Sequence, residues 1–202
     1  MEQQTRSKRR MRAPERREQL LQVARKVFAK GGYQTVTMDD VARQAGVTKP
    51  ILYDHFPSKR DLYQGLLESD LTALEERIKT AIETSSGNRE RIRGSFQAYF
   101  DFVDDEGAGF RLLMKEAVGA EEEFRDLIGR FRERVLAMVT EVMTRESRGN
   151  LSRKEAEEVA LGLIGMAEVV AQHEPGRSKR ERRKTVDTLV RLAWRGITGL
   201  TL

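Results

Sequence analysis

Cysteine is absent from the 202 residues. That excludes disulfide scaffolds, thiolate catalysis and cysteine-ligated zinc in one step. Histidine is nearly absent too: His55 and His173 are the only two, far apart in the chain. No His-Glu metal motif, phosphate-binding glycine loop or nucleophile elbow is present, so neither an enzyme nor a bound metal or other cofactor is expected. Only four prolines interrupt the chain, which leaves long stretches free to be helical. No run approaches the roughly 18 apolar residues of a membrane span. The basic N-terminus is not followed by the apolar core of a signal peptide. A soluble, cytoplasmic protein with no membrane partner is the expectation.

Charge is present in abundance and unevenly placed. The net charge is +5, yet residues 1–60 hold 14 Lys/Arg against 6 Asp/Glu. The remainder holds 23 against 26 and is mildly acidic. A basic head on an acidic body suits a polyanionic partner for the head alone.

Hydrophobic periodicity predicts an all-α chain of about nine helices, with no segment of period two. Residues 1–13 read as a basic flexible arm carrying Arg6, Lys8, Arg9, Arg10 and Arg12. Pro14 suits a helix start, and Leu20, Leu21, Ala24, Val27 and Phe28 mark a first helix that Gly31-Gly32 ends. Thr37-Met-Asp-Asp40 is a capping box for a short second helix that Gly46 stops. Thr48 opens a short third helix with Pro50 in its first turn and Leu52 and Phe56 inward. Ser58-Lys-Arg-Asp61 caps a long fourth helix from Leu62 to Ile82, broken at Ser85–Asn88. Further apolar stripes give a fifth helix (Ile92–Val103), a short sixth around Phe110 and Met114, and a seventh (Phe124–Val142). An eighth is capped by Ser152 and Glu155, and after a turn at His173–Gly176 a ninth carries Val186, Leu189, Val190, Ala193, Trp194 and Ile197. The domain reading is an arm, 1–13, a helix-turn-helix domain, 14–60, and a regulatory and dimerisation body, 61–202.

A short helix, a glycine turn and a second short helix form a helix-turn-helix layout. With Leu52 and Phe56 inward, Lys49, Pro50, Ile51, Tyr53 and Asp54 fall on the outer side. Lys49 can reach a phosphate or a guanine edge, Pro50 and Ile51 a thymine methyl, and Tyr53 a phosphate. The stretch from Thr37 to Leu62, with its Tyr53-x-His55-Phe56 ending and Ser58-Lys59-x-x-Leu62 opening, resembles the DNA-binding signature of the TetR family of bacterial regulators. The motif covers about residues 14–70.

The resemblance implies double-stranded DNA, in the form of a palindromic operator, as partner. Thr37 and Tyr53 would contact the phosphate backbone, Lys59 would hold it through its side chain or neighbouring amide, and Thr48, Lys49, Pro50 and Ile51 would face the major groove. His55 would lie near the phosphates or stabilise the head. Asp54 departs from the neutral or basic residue expected beside the tyrosine. The resemblance further implies a homodimer, repression as the usual mode of action, and localisation to the bacterial cytoplasm with nucleoid association when bound to DNA.

For the dimer face the candidates are Leu163, Val170, Val186, Leu189, Val190, Ala193, Trp194 and Ile197, beside small residues such as Ala160, Gly162, Gly165 and Ala167; intrachain packing is the competing explanation. For the pocket that the resemblance implies, accepting a small hydrophobic inducer, the candidates are Phe96, Tyr99, Phe100, Phe110, Met114, Phe124, Phe131, Met138 and Met166; core packing is the competing explanation for each. Glu168 stands out as a carboxylate inside an apolar stretch, either a partner for a cationic ligand or a group on the wet side of its helix. The basic run Arg177–Lys184 reads as a solvated loop and helix start. Competing classes are a ligand-independent or architectural DNA binder and a helical protein-interaction module.

Overall fold

A computed structural model describes residues 12–105, 122–173 and 178–200, the side chains of 104–105 and 197–200 excepted. The described residues form eight helices and no strand. In chain order they are α1 (Ala13–Thr35), α2 (Met38–Ala45), α3 (Lys49–His55), α4 (Lys59–Thr84), α5 (Asn88–Asp105), α6 (Glu122–Glu146), α7 (Arg153–His173) and α8 (Lys179–Leu200). The stretch read as a sixth helix, with Phe110 and Met114, lies outside the described residues, as do the arm up to residue 11 and most of the 173–176 turn.

The chain divides into two compact units, Met1–Leu66 and Leu67–Leu202. The division falls inside α4, slightly beyond the 60/61 boundary read from the motif. Its physical basis is local: the first two turns of α4 belong to the head's core, where Leu62, Tyr63 and Leu66 are fully buried. Tyr63 meets Phe28 edge-on at 5.2 Å and lies 4.5 Å from Tyr33, geometries that aromatic quadrupoles favour. Leu20, Leu21, Ala24 and Phe28 of α1, Val41 and Ala42 of α2, and Leu52 and Phe56 complete this core.

Local chemistry sets the head's helix ends. Gly32 holds φ 75°, ψ 159°, so the helical run continues to Thr35 only across a kink at this residue. Gly46 closes α2 in the left-handed conformation with φ 64°, a region where a Cβ is penalised. Thr37 caps α2 by accepting from the Asp40 amide at 3.2 Å, while Asp40 accepts from the Thr37 amide at 3.0 Å. Ser58 and Asp61 form the same reciprocal contact at α4: the Ser58 hydroxyl donates to the carboxylate at 2.6 Å and accepts from the Asp61 amide at 3.1 Å.

In the body, α6 packs most extensively on α7 and α5 on α8, with a smaller α5–α7 contact. Alanines at 156, 160, 167 and 171 form the buried face of α7, and small side chains there let neighbouring backbones approach closely. Phe100, Phe102 and Val103 of α5, Phe124 and Ile128 of α6 and Val186 and Val190 of α8 are buried as well. Ser152 and Glu155 cap α7, and Ser178 and Glu181 do the same for α8.

One expectation about α8 is corrected. The run Arg177–Lys184 is not uniformly solvated. Arg182 is 1% exposed, with its guanidinium 5.0 Å from the centre of the Phe100 ring. Lys179, Arg180, Arg183 and Lys184 are exposed as a surface run should be. Arg182 points inward because it lies one turn before Val186 on the buried face, and arginine's flat, weakly hydrated head can lie on an aromatic ring.

Candidate nucleic-acid interface and body cavity

In the head, α3 buries Leu52 and turns its other face outward. Lys49, Pro50, Ile51, Tyr53 and Asp54 are all exposed, so apolar and aromatic surface at Ile51 and Tyr53 stands open to solvent. Thr48 occupies the N-cap position of α3 yet makes no side-chain capping bond, which keeps its hydroxyl off the helix end. His55, half-buried, closes the last turn.

The cations of this face are already engaged inside the head. Lys49 Nζ meets Asp39 Oδ2 at 2.6 Å, with both side chains more than half exposed. The hydrogen bond to Asp39 holds the Lys49 ammonium above the usual lysine range. Arg43 pairs with Asp40, whose carboxyl is held low first by the Thr37 hydroxyl and then by the Thr37 amide. The Thr37 hydroxyl, exposed and at a position read as a phosphate contact, itself donates to Asp40 at 2.6 Å.

Of the two groups through which Lys59 could hold the DNA backbone, the side chain has other partners. Its ammonium donates to the carbonyls of Tyr33 at 2.8 Å, Gln34 at 3.3 Å and Val36 at 3.0 Å, and lies 4.7 Å from the Tyr33 ring centre. It therefore satisfies carbonyls left open around the end of α1, as a cation at a helix C-terminus should. Its side chain is committed within the head, leaving its amide at the start of α4 as the group able to meet a phosphate.

Body candidates separate sharply. A cavity of about 380 Å³ is lined by α4, α5, α6, α7 and α8, including Phe96, Tyr99, Phe131 and Glu168. Phe100, Phe124, Met138 and Met166 do not line it. Phe100 and Phe124 are core residues with no exposure: Phe100 turns to a different side of α5, whereas Phe124 shares a side of α6 with Phe131 but lies two turns before it, ahead of the residues that line the cavity. Phe110 and Met114 lie outside the described residues.

Ile78, Ile82, Ile92, Val135, Val139 and Val142 supply apolar lining to the cavity. Two ion pairs belong to its wall. Arg132 donates to both oxygens of Glu168, at 2.9 and 2.8 Å; Glu168 is 14% exposed and Arg132 43%. Arg91 meets Glu146 at 3.1 Å, and this hydrogen bond holds the Glu146 carboxyl below its ordinary range. Arg91 and Tyr99 are two helical turns apart on α5, about 12 Å by helix rise. Between them α5 adds Ile92, Ser95 and Phe96 to the lining. Burial first, then the Glu168 charge, pushes the Tyr99 phenol far up, so it stays protonated.

The sequence had not singled out Asp39, Arg132, Arg91 or Glu146. Ten residues and a turn separate Asp39 from Lys49, and 36 residues separate Arg132 from Glu168. No helical spacing announces such pairs.

The candidate dimer face is also revised. Val186, Leu189, Val190 and Ala193 are buried within the single chain, so intrachain packing accounts for them. Leu163 and Trp194 line the cavity, Val170 is half-buried, and the Ile197 side chain is outside the described residues. Among the described residues, the large apolar side chains left exposed in the body are Leu161 and Val169 on α7 and Leu192 on α8. A Cβ added at Gly162, Gly165 or Gly196 would meet open space. The small residues of α7 therefore serve two faces, the alanines inward and Gly162 and Gly165 away from the core.

Residues 20–66 match the family model of bacterial regulatory proteins of the tetR family. Residues 88–196 match that of the tetracyclin repressor-like C-terminal domain. The chain belongs to the TetR family. It is 31% identical over 189 residues to the HTH-type transcriptional activator FasR of Mycolicibacterium smegmatis, covering 93% of this chain and 85% of that protein. Its fold is similar to that of a TetR-like transcriptional regulator from Rhodococcus, with a TM-score of 0.73, 24% identity, and coverage of 94% of this chain and 100% of the other. It is also similar to AibR, solved in complex with isovaleryl coenzyme A and operator DNA, with a TM-score of 0.69 and 20% identity over 87% of this chain and 96% of the other. This TetR-family chain is a DNA-binding transcriptional regulator. Among its described residues no helix is long and apolar enough to cross a membrane.

Proposed function

We propose that this regulator binds a palindromic operator as a homodimer, represses from it, and is released when an amphipathic small molecule enters the body cavity. The observation that carries the reading is the outward face of α3. Thr48, Lys49, Pro50, Ile51 and Tyr53 are exposed on a short helix whose Leu52 is buried. A helix so anchored presents one face to the major groove. Lys49 and Thr48 supply hydrogen bonds to base edges, Pro50 and Ile51 apolar contact to thymine methyls, and Tyr53 a phosphate contact.

For pairing, Leu161, Gly162, Gly165 and Val169 on α7 with Leu192 on α8 form the surface that a second copy would cover. Two copies would set their recognition helices about 34 Å apart, one turn of DNA. Within each body, the apolar lining of the cavity and its polar groups suit a molecule with a hydrocarbon portion and a polar head. The coenzyme A thioester named for AibR makes acyl compounds the first class to try. Such a ligand acts only through a difference in affinity between the DNA-competent and DNA-free states.

The test is a footprint of the purified protein across its own upstream DNA, repeated with a Lys49→Ala/Tyr53→Ala variant and with short- and long-chain fatty acids and acyl thioesters. A palindromic protected site, weakened by about 100-fold or more in the variant and released by an acyl compound, is expected. A specific site indifferent to every acyl compound favours a ligand-independent regulator. No specific site, with the variant binding like wild type, sinks the operator reading.

A further inference from the structure

The charged side chains that line the body cavity cancel one another. Arg91, Arg132, Glu146 and Glu168 belong to the lining, and they form two pairs, Arg91 with Glu146 and Arg132 with Glu168. Arg91 also donates to the side-chain oxygen of Asn88 at 2.7 Å, and Arg132 holds both oxygens of Glu168. Neither pair leaves a whole charge for a ligand to neutralise, and an ion entering an apolar cavity unpaired incurs a large desolvation cost. Tyr99 is different. It is 9% exposed and lines the same cavity, yet its hydroxyl has no hydrogen-bond partner among the described residues. The Arg91 Nε is without a partner too, but that nitrogen is enclosed by protein, whereas the Tyr99 hydroxyl is open to the void. A buried phenol usually finds an acceptor, and here only a ligand can bring one.

Resting on the reading of this cavity as the regulator's ligand site, we infer that it takes an uncharged acyl compound, an ester or thioester, whose carbonyl oxygen accepts from the Tyr99 hydroxyl, and that Glu168 turns away the corresponding free acid. The Glu168 charge acts on the Tyr99 oxygen more strongly than the Arg132 charge does, so negative charge is disfavoured at this spot. The same field opposes a carboxylate in contact with the hydroxyl. An ammonium fares no better, because Arg132 already occupies both oxygens of Glu168 and the phenol's donor has no use for a second donor. A neutral carbonyl takes the hydrogen bond without either penalty. Its hydrocarbon chain would lie along α6, where every lining residue between Arg132 and Glu146 is apolar: Val135, Val139, Val142 and Met143. That stretch measures about 21 Å by helix rise. Tyr99 selects for an acceptor, and Glu168 selects against its charge.

The experiment measures binding to the full chain of probes that share one chain length: methyl decanoate, the N-acetylcysteamine thioester of decanoic acid, decanoate and decylammonium. Trp194, the single tryptophan, lines the cavity and reports occupancy by its emission. The rise in melting temperature gives a second measure. The proteins are wild type, Tyr99→Phe and Glu168→Gln, and release of operator DNA is recorded separately. Both neutral probes are expected to bind wild type about tenfold or more tightly than either charged probe. Tyr99→Phe weakens the neutral probes by about three- to tenfold, the worth of one hydrogen bond, and leaves the charged probes where they were. Glu168→Gln strengthens decanoate by about tenfold, because Arg132 is then free to face it, and changes the neutral probes by less than about twofold. A preference between ester and thioester shows which of the two the wall around the carbonyl fits; either one upholds the inference.

Decanoate or decylammonium binding wild type as tightly as the neutral probes overturns the inference. So does a Tyr99→Phe protein that binds every probe like wild type, or a decanoate affinity untouched by Glu168→Gln. No response to any probe, in emission or in melting temperature, overturns it as well. Binding in the expected pattern with operator occupancy unchanged upholds the inference and defeats only the inducer part of the reading above. Tyr99→Phe removes one oxygen and keeps the ring that meets Phe100 edge-on, so the test stands even if Glu168→Gln folds poorly.

Discussion

In the head, Lys49 and Asp39 meet at 2.6 Å with side chains 62% and 55% exposed. In the body, Arg132 grips both oxygens of Glu168 at about the same distance, but that glutamate is only 14% exposed. The contacts look alike and their consequences differ. Water can take over either partner of the first pair, so its loss leaves folding nearly untouched and alters how the surface meets another polyanion. Water reaches the second pair unevenly: Arg132 can be solvated in place, whereas Glu168 without its arginine would be a carboxylate on an apolar wall. A surface charge in the head is available for exchange, and a charge in the body is held for shape and polarity.

The contrast is broken most strongly by leaving charge aside and attacking a core. Leu52 has no exposure and anchors the outward face of α3, so Leu52→Ala should cost about 2–5 kcal/mol. Equilibrium denaturation checks the magnitude, and operator binding should fall with it although no proposed DNA contact is altered. An intact footprint with a destabilised head would detach the presentation of α3 from its packing.

Smaller effects should come from the body's pair, and they should be asymmetric. Arg132→Ala strands Glu168 and is expected to cost about 1–2 kcal/mol, discounted for the half-exposed arginine. Glu168→Leu leaves the arginine to water and should cost less than half of that. Denaturant midpoints of the two variants decide it, and equal losses would mean that the wall is wetter than its exposure suggests.

The smallest effect concerns acid. The carboxyls of Asp40 and Glu155 are held low by the hydroxyls and amides of Thr37 and Ser152. A carboxyl lower in the folded than in the unfolded chain stabilises fully above its unfolded value and ceases to as pH falls through its folded value. Stability should therefore decline below about pH 4, and Asp40→Asn and Glu155→Gln should each flatten the decline slightly. Thermal melts between pH 3 and 7 provide the measurement. A slope unchanged in both variants would show that these caps take no part in the acid response.

Legibility in the sequence followed the range of the interactions. Capping boxes at Thr37, Ser58 and Ser152, the Gly46 stop and the inward pair Leu52 and Phe56 all depend on residues within a few positions of one another. The head was readable because a helix-turn-helix is built of such short-range signals. The cavity was not. Phe96, Tyr99 and Phe100 lie within five positions on one helix, yet the first two line the cavity and the third is sealed in the core. Which side of an amphipathic helix faces a void depends on what the other helices bring.

What the sequence determined by itself is the helical class, the caps at Thr37, Ser58 and Ser152, the motif that marks the TetR family and the face of α3 that stays outside. Each follows from side-chain period and local backbone chemistry. Tertiary structure alone decided that Lys59 closes α1, that Asp39 holds Lys49, that Arg182 lies buried on Phe100, and that α8 turns Val186 and Val190 into its own chain. These are meetings between residues distant in sequence or choices among helix faces, and no local spacing encodes them.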